Sequence, residues 1–238
     1  MSKTMQGAFH MTYHHIEAPT VQDEEYGKQF KKRKLIVPTE GQDEAYRSPL
    51  LAYLAEQPWV YSRKVDGENI RIQWNGEQVL WNGKSNYFQC GAEFTEYMNN
   101  TFLEEIFEEK FGRDKVVTLF GEHMGPKVQG NELGLKKDEV VLYDVNIDGT
   151  WLRKLDVVEI AGYFGFEVPT VFRYMPHGQA PTKLRELIEM CANGKFKDWE
   201  GIVATPLVEM RTQKGERVIV KIKNRDYLRG DENGEPKK

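Results

Sequence analysis

Apolar residues recur at two different periods along this chain. Residues 59–83 read WVYSRKVDGENIRIQWNGEQVLWNG, with β-branched and aromatic residues in short stretches separated by Asp-Gly and Asn-Gly. Those pairs favour tight turns, so the pattern predicts consecutive antiparallel strands over WVYSRKV, NIRIQW and QVLWNG. KVVTLFGEH and EVVLYDVNID extend the strand set, and GIVATPLVEM with RVIVKIKN predicts a last hairpin across QKGE. Helical spacing takes over at 92–111, where Phe94, Met98, Phe102 and Ile106 share one face. It returns in LRKLDVVEIAGYFG and TKLRELIEMCANGK, each with a glycine-containing stop, and in SPLLAYLAEQP, where Ser48 can cap and Pro49 suits the first turn. Strands outnumber helices and the two are interspersed. The pattern therefore gives an α+β class with mainly antiparallel sheets flanked by helices.

The flanks are polar. Residues 1–48 carry the basic run KQFKKRK (Lys28 to Lys34), Pro38 and the acidic EGQDE, so no long regular element is expected there. The end, RGDENGEPKK, is turn-rich, and a frayed tail is expected over 225–238. With 238 residues the chain can bury one large core, and the expectation is a single domain spanning 1–238.

Composition narrows the classes further. Hydrophobic residues make up 39% and charged residues 29%, and no apolar run approaches the ~18 residues of a membrane span. The first residues lack the pattern of a secretory signal. Cys90 and Cys191 are the only thiols and are not at metal-ligand spacing, which argues against a disulfide scaffold or zinc knuckle and fits a reducing, cytoplasmic setting. A net charge of −4 gives no global steering towards nucleic acid, yet leaves room for a local basic face.

The candidate chemistry starts at SRKVDGENIRI, residues 62–72. Lysine is protonated at neutral pH and becomes a nucleophile only where neighbouring cations, desolvation or a metal favour the neutral amine. Taken alone, Lys64 reads more readily as a solvated lysine before a turn. Other polar residues then appear beside apolar strands: Glu122 closing VVTLFGE, Glu200 before Gly201, and Lys221 and Lys223 alternating with Val220 and Ile222. A period of two puts both lysines on one strand face. That face suits either a groove that neutralises phosphoryl oxygens or the solvated side of an edge strand.

In order, these motifs resemble the covalent nucleotidyltransferase superfamily of ATP-dependent ligases and mRNA capping enzymes. Lys64-Val65-Asp66-Gly67 resembles its nucleophile motif, and Gly83-Lys84-Ser85 falls where ligases carry a basic residue. Phe120-Gly121-Glu122, Leu142-Tyr143-Asp144-Val145, Trp199-Glu200-Gly201-Ile202-Val203 and Val220-Lys221-Ile222-Lys223 are similar to the motifs that follow. Asn69 stands five residues after Lys64, where DNA ligases and capping enzymes usually have arginine, so the likeness is closest to the T4 RNA ligase 2-like enzymes. Two departures stand out: Ala204-Thr205-Pro206 replaces a lysine often found after the fourth motif, and 15 residues follow Lys223, too few for an appended OB fold.

The resemblance implies an ATP-grasp-like nucleotidyltransferase domain that joins 5′-phosphate and 3′-hydroxyl RNA ends through a lysyl-AMP and an adenylylated 5′ end. It implies Lys64 as nucleophile and Lys221 and Lys223 as phosphate-stabilising cations that also favour the neutral Lys64 amine. Glu200 and Glu122 would hold hydrated Mg²⁺, with Mn²⁺ able to substitute, and Glu122 is alternatively a ribose ligand. Tyr143 and Val203 would flank adenine, and Asn69 and Lys84 would contact the phosphate of the adenylylated end. Arg63, Arg71 and the run Lys28 to Lys34 are candidate contacts to the nucleic-acid backbone, with solvated surface as the competing reading. His14, His15 and His123 are assigned no acid–base role. The partner expected is RNA, as a nicked duplex or RNA/DNA hybrid, acted on by a monomer without a membrane. The alternatives are a minimal DNA ligase, a GTP-using guanylyltransferase, and a noncatalytic nucleic-acid-binding relative.

Overall fold

The computed structural model describes residues 11–84, 88, 90–131, 134–170 and 182–228. In chain order the elements are α1 (Glu24–Phe30), α2 (Pro49–Ala55), β1 (Pro58–Lys64), β2 (Glu68–Trp74), β3 (Val79–Asn82), α3 (Ala92–Thr101), α4 (Glu104–Phe111), β4 (Val117–Met124), β5 (Glu139–Ile147), β6 (Thr150–Trp151), α5 (Lys154–Phe164), β7 (Thr182–Lys183), α6 (Leu184–Ala192), β8 (Gly201–Pro206), β9 (Val220–Lys223) and α7 (Asn224–Tyr227). They fall into two compact units. The first takes residues 11–13 and 66–170, and the second takes 14–65 and 182–228.

The second unit is built on the sheet β7-β1-β8-β9, whose neighbouring strands are all antiparallel. Trp59, Ile202, Ala204, Val220 and Ile222 project from one face of it into a core shared with Leu184, Leu187, Ile188 and Cys191 of α6 and Leu54 of α2. Ser48 caps α2 as expected, accepting from the Leu51 N–H at 3.2 Å. The chain stays ordered past β9: Tyr227 of α7 is fully buried and shares a hydrogen bond with Thr20 at 2.8 Å. Of the tail expected over 225–238, residues 229–238 lie outside the described residues.

The first unit carries the antiparallel sheet β3-β2-β4-β5-β6. Its buried residues include Ile70, Ile72, Trp74, Leu119, Phe120 and Leu142 of the strands and Phe94, Met98 and Phe107 of α3 and α4. The stretch expected as one helix over 92–111 is two. Phe102 ends α3 in a non-helical conformation and is itself buried against Phe107 and Phe166, and the break shifts the buried position from Ile106 to Phe107.

A second correction concerns the strands around the Asp-Gly pair. β2 and β3 pair as expected, but β1 belongs to one sheet and β2 to the other, so Asp66-Gly67 makes no hairpin. Gly67 answers a different demand. A Cβ there would lie 2.3 Å from the His123 carbonyl oxygen and 2.5 Å from Met124 Sδ, so only glycine lets this loop lie against β4. Among the described residues no helix is long and apolar enough to cross a membrane.

Candidate active site

In the second unit the strand registers align Lys64, Gly201 and Lys223 in one row across β1, β8 and β9. The next row on the same face holds Ser62, Val203 and Lys221. The intervening rows, with Ile202 and Ile222, face the core. Period-two alternation therefore places Lys64, Lys221, Lys223 and Val203 on one face, as the sequence predicts for the two β9 lysines.

Gly201 makes this row possible. A Cβ on it would sit 2.2 Å from the Ile222 carbonyl oxygen and 2.7 Å from Lys223 Cα. Only glycine allows that close approach to β9, and the carboxylate of the preceding residue bonds both lysines. Glu200 Oε2 accepts from Lys64 Nζ and Oε1 accepts from Lys223 Nζ. Burial alone would raise the Glu200 carboxyl, but the bonds from Lys223 and Lys64 outweigh it and hold the group below its ordinary range. Lys64 also reaches the Val65 carbonyl at 3.4 Å. Sequence reasoning expected cations as the nearest influence on Lys64. The nearest charge is instead the Glu200 carboxylate.

The backbone carrying Glu200 is tied by Asn224, a residue the sequence reading passed over. Its side-chain amide donates to the Phe196 carbonyl and, at 2.6 Å, to that of Trp199, while its N–H donates to the Glu200 carbonyl at 3.0 Å. An amide directly after the lysine strand in VIVKIKN was the available signal. Arg63, considered as a backbone contact, points to the other face, with its guanidinium 5.7 Å from the Trp199 ring centroid.

The first unit gathers a second set. Asn69 and Glu122 are directly opposed on β2 and β4, and Asn69 Nδ2 donates to the Tyr143 hydroxyl at 2.5 Å. Glu122 lies inside β4, which continues to Met124, rather than at its end. Its Oε1 accepts the Gly67 N–H at 3.3 Å. The register between β4 and β5 slips at Phe120/Gly121, so Tyr143 is the extra residue of a β-bulge. Burial first, then the charges of Glu122 and Asp144, push the Tyr143 hydroxyl well above its ordinary pKa, so it stays protonated. Lys84 stands exposed at the bend after β3, and Ser85 beyond it lies outside the described residues.

Beside Tyr143, the carboxylate of Asp144 accepts from the Tyr13 hydroxyl and, at 2.5 Å, from Lys154 Nζ, which also bonds the Tyr143 carbonyl at 3.0 Å. Arg71 is 3% exposed and donates to the Gly83 carbonyl at 3.1 Å, which removes it from the surface contacts considered for it. His123 is buried on the Phe94 ring with Asp138 Oδ1 at 2.9 Å. Among the described residues no group of three or more His, Cys, Asp or Glu side chains is arranged to hold a metal ion.

Two antiparallel sheets, one of them carrying Lys64, Lys221 and Lys223 on a single face beside the Glu200 carboxylate, with interspersed helices define an α+β protein. The comparisons with known proteins give that class a family. The RNA ligase family matches residues 57–223, and the chain belongs to it. Two solved structures of Naegleria gruberi RNA ligase variants, one with AMP and Mn and one with ATP and Mn, each superpose with a TM-score of 0.51 at 16% identity, covering 74% of this chain and 52% of theirs. An apo variant of the same enzyme gives a TM-score of 0.52 at 14% identity over 96% of this chain and 61% of its own. The chain thus spans about half the length of these structures, and the likeness establishes the fold, that of the RNA ligase nucleotidyltransferases. No curated protein matches.

Proposed function

We propose that this protein is an ATP-dependent RNA ligase in which Lys64 carries AMP, and that both units belong to one nucleotidyltransferase domain. The observation that carries the reading is the row Lys64–Gly201–Lys223 with Glu200 between the lysines, in a chain of the RNA ligase family. Lys64 Nζ, once deprotonated, attacks the α-phosphorus of ATP; the N–P bond forms as the bond to the β-phosphate oxygen breaks and pyrophosphate leaves. A 5′-phosphate oxygen of RNA then attacks the same phosphorus and displaces Lys64. Finally a 3′-hydroxyl attacks the 5′-phosphorus and AMP departs.

Lys221 and Lys223 stabilise the charge that builds on the phosphoryl oxygens. Tyr143 and Val203 are assigned to the adenine, Glu122 to a ribose hydroxyl or the metal's water shell, and Asn69 and Lys84 to the phosphate of the adenylylated end. The residues present fit Mg²⁺ or Mn²⁺: Glu200 is held ionised, and Mg²⁺ needs one or two carboxylates beside its waters and substrate phosphates rather than a full cage. Held through the Glu200 carboxylate, the ion would neutralise phosphate charge. The enzyme is assigned to the cytoplasm, as a monomer acting on nicked RNA duplexes or RNA/DNA hybrids.

Incubation with labelled ATP or GTP and Mg²⁺ tests this. Acid-stable label from ATP on the wild type, absent from Lys64→Ala, is the expected result; label on Lys64→Ala would refute the assignment. Sealing of matched all-RNA, all-DNA and mixed nicks then separates RNA joining from DNA joining.

A further inference from the structure

Along the outer edge of β9 the second unit opens a cavity of about 370 Å³. Lys221 and Lys223 form part of its wall, joined by Arg33, Arg47 and Arg225. Five cations thus line one cavity against the carboxylates of Glu17 and Asp226, in a chain whose net charge is −4. Arg47 pairs with Glu17, Arg225 with Asp226 and Lys223 with Glu200, and the five cations still outnumber those three carboxylates, which leaves a surplus of positive charge that suits a polyanion.

The basic run of the N-terminal segment leads directly into this cavity. Lys28, Lys31, Lys32 and Arg33 are exposed. The run is held in place by several backbone tethers. Asp23 N–H donates to the Lys34 carbonyl and Leu35 N–H to the Asp226 carbonyl, both at 2.9 Å, while Lys34 Nζ reaches the Arg225 carbonyl at 2.6 Å. Leu35, next in sequence, is 2% exposed and anchors the segment in the core. Lys31 turns the chain out of α1 in the left-handed conformation, and its N–H bonds the Gly27 carbonyl at 3.0 Å. A merely solubilising run needs no such anchoring.

We propose that this run and the cavity form a track for the phosphate backbone of an RNA strand, ending at the Lys221/Lys223 face. The identity of the polyanion as RNA rests on the ligase reading. The line of charge favours a strand over the ATP triphosphate, because a triphosphate would occupy the cavity and leave the exposed lysines outside it unused. Backbone contacts of this kind set affinity and register without reading sequence.

The test measures binding of a fluorescein-labelled single-stranded RNA, and of the same RNA in a nicked duplex, across a salt series without ATP. The variant K28Q/K32Q/R33Q/R225Q should bind at least about tenfold more weakly. On the single strand, the slope of log K against log salt should be shallower by about 0.7 for each phosphate that is no longer neutralised. K195Q/K197Q, which removes two exposed cations elsewhere on the same unit, should bind as the wild type does. R225Q alone should shift binding in the same direction by less, and stands in if the fourfold variant does not fold. Unchanged affinity and slope in the fourfold variant overturns the track. ATP labelling without RNA separates the two sources of phosphate: loss of label in this variant would hand the cations to the nucleotide and overturn the RNA assignment. An unlabelled wild type that still binds RNA through these residues would break the ligase reading alone.

Discussion

In the four-stranded sheet, the side chains of Lys64, Lys223 and Glu200 keep between 14% and 21% of their surface in contact with solvent; in the five-stranded sheet, Asp144 keeps 1%. Both carboxylates bond two donors. Those of Glu200 are lysines, whose ammonium groups can exchange a carboxylate for a phosphate without first being dug out of a core. Asp144 is shared between Tyr13 and Lys154 in the interior, where replacing either donor exposes a charge to a medium that cannot solvate it. One cluster is open to an incoming group, and the other holds the bulge at Tyr143. Access to water, more than the kind of residue, separates the two roles.

The largest expected effect lies on the buried side. Asp144→Asn should lower the unfolding free energy by about 3–5 kcal/mol, because Lys154 is left as a largely buried charge, whereas the double variant D144L/K154M should lose less; urea unfolding measures both. Equal losses would show that the pair is not what makes the site costly to break. On the exposed side, Glu200→Gln should slow acid-stable labelling about 100-fold with little change in unfolding free energy, which reverses the pattern of Asp144→Asn. Tyr143→Phe removes only the hydroxyl that accepts from Asn69 and should cost about 1 kcal/mol, read as a roughly fivefold rise in KM for ATP with kcat nearly kept.

The smallest effect is on pH dependence. The Glu200 carboxyl is held below its ordinary value of 4.5, so its contribution to stability is complete above that pH and is lost as pH falls through the lowered value. Thermal melts below about pH 5 should therefore fall more steeply for the wild type than for Glu200→Gln. Parallel curves would remove the two ammonium bonds from the account.

Much of this was readable in the chain because strands declare their faces by alternation. Val220-Lys221-Ile222-Lys223 needs only a period of two, and the structure keeps it. What stayed hidden depends on contacts distant in sequence. Asp66-Gly67 looks like a hairpin turn, but the glycine is needed because β4, more than 50 residues later, presses against it. The one-residue slip that turns Tyr143 cannot be seen in EVVLYDVNI, since a bulge exists only relative to a partner strand. Asp144 drew attention only as the residue after Tyr143. Its burial depends on Lys154 at the start of α5 and on Tyr13 before β1, and no local pattern joins those three.

The row Lys64–Gly201–Lys223 has a metrical consequence. Each step between paired strands is about 4.8 Å, so the backbones bearing the two lysines stand about 10 Å apart, at a separation written in peptide hydrogen bonds. Side-chain exchange can alter which group is held at either end of that interval but leaves the interval itself alone. The sheet serves as a fixed gauge, and the side chains are fittings hung at its two ends.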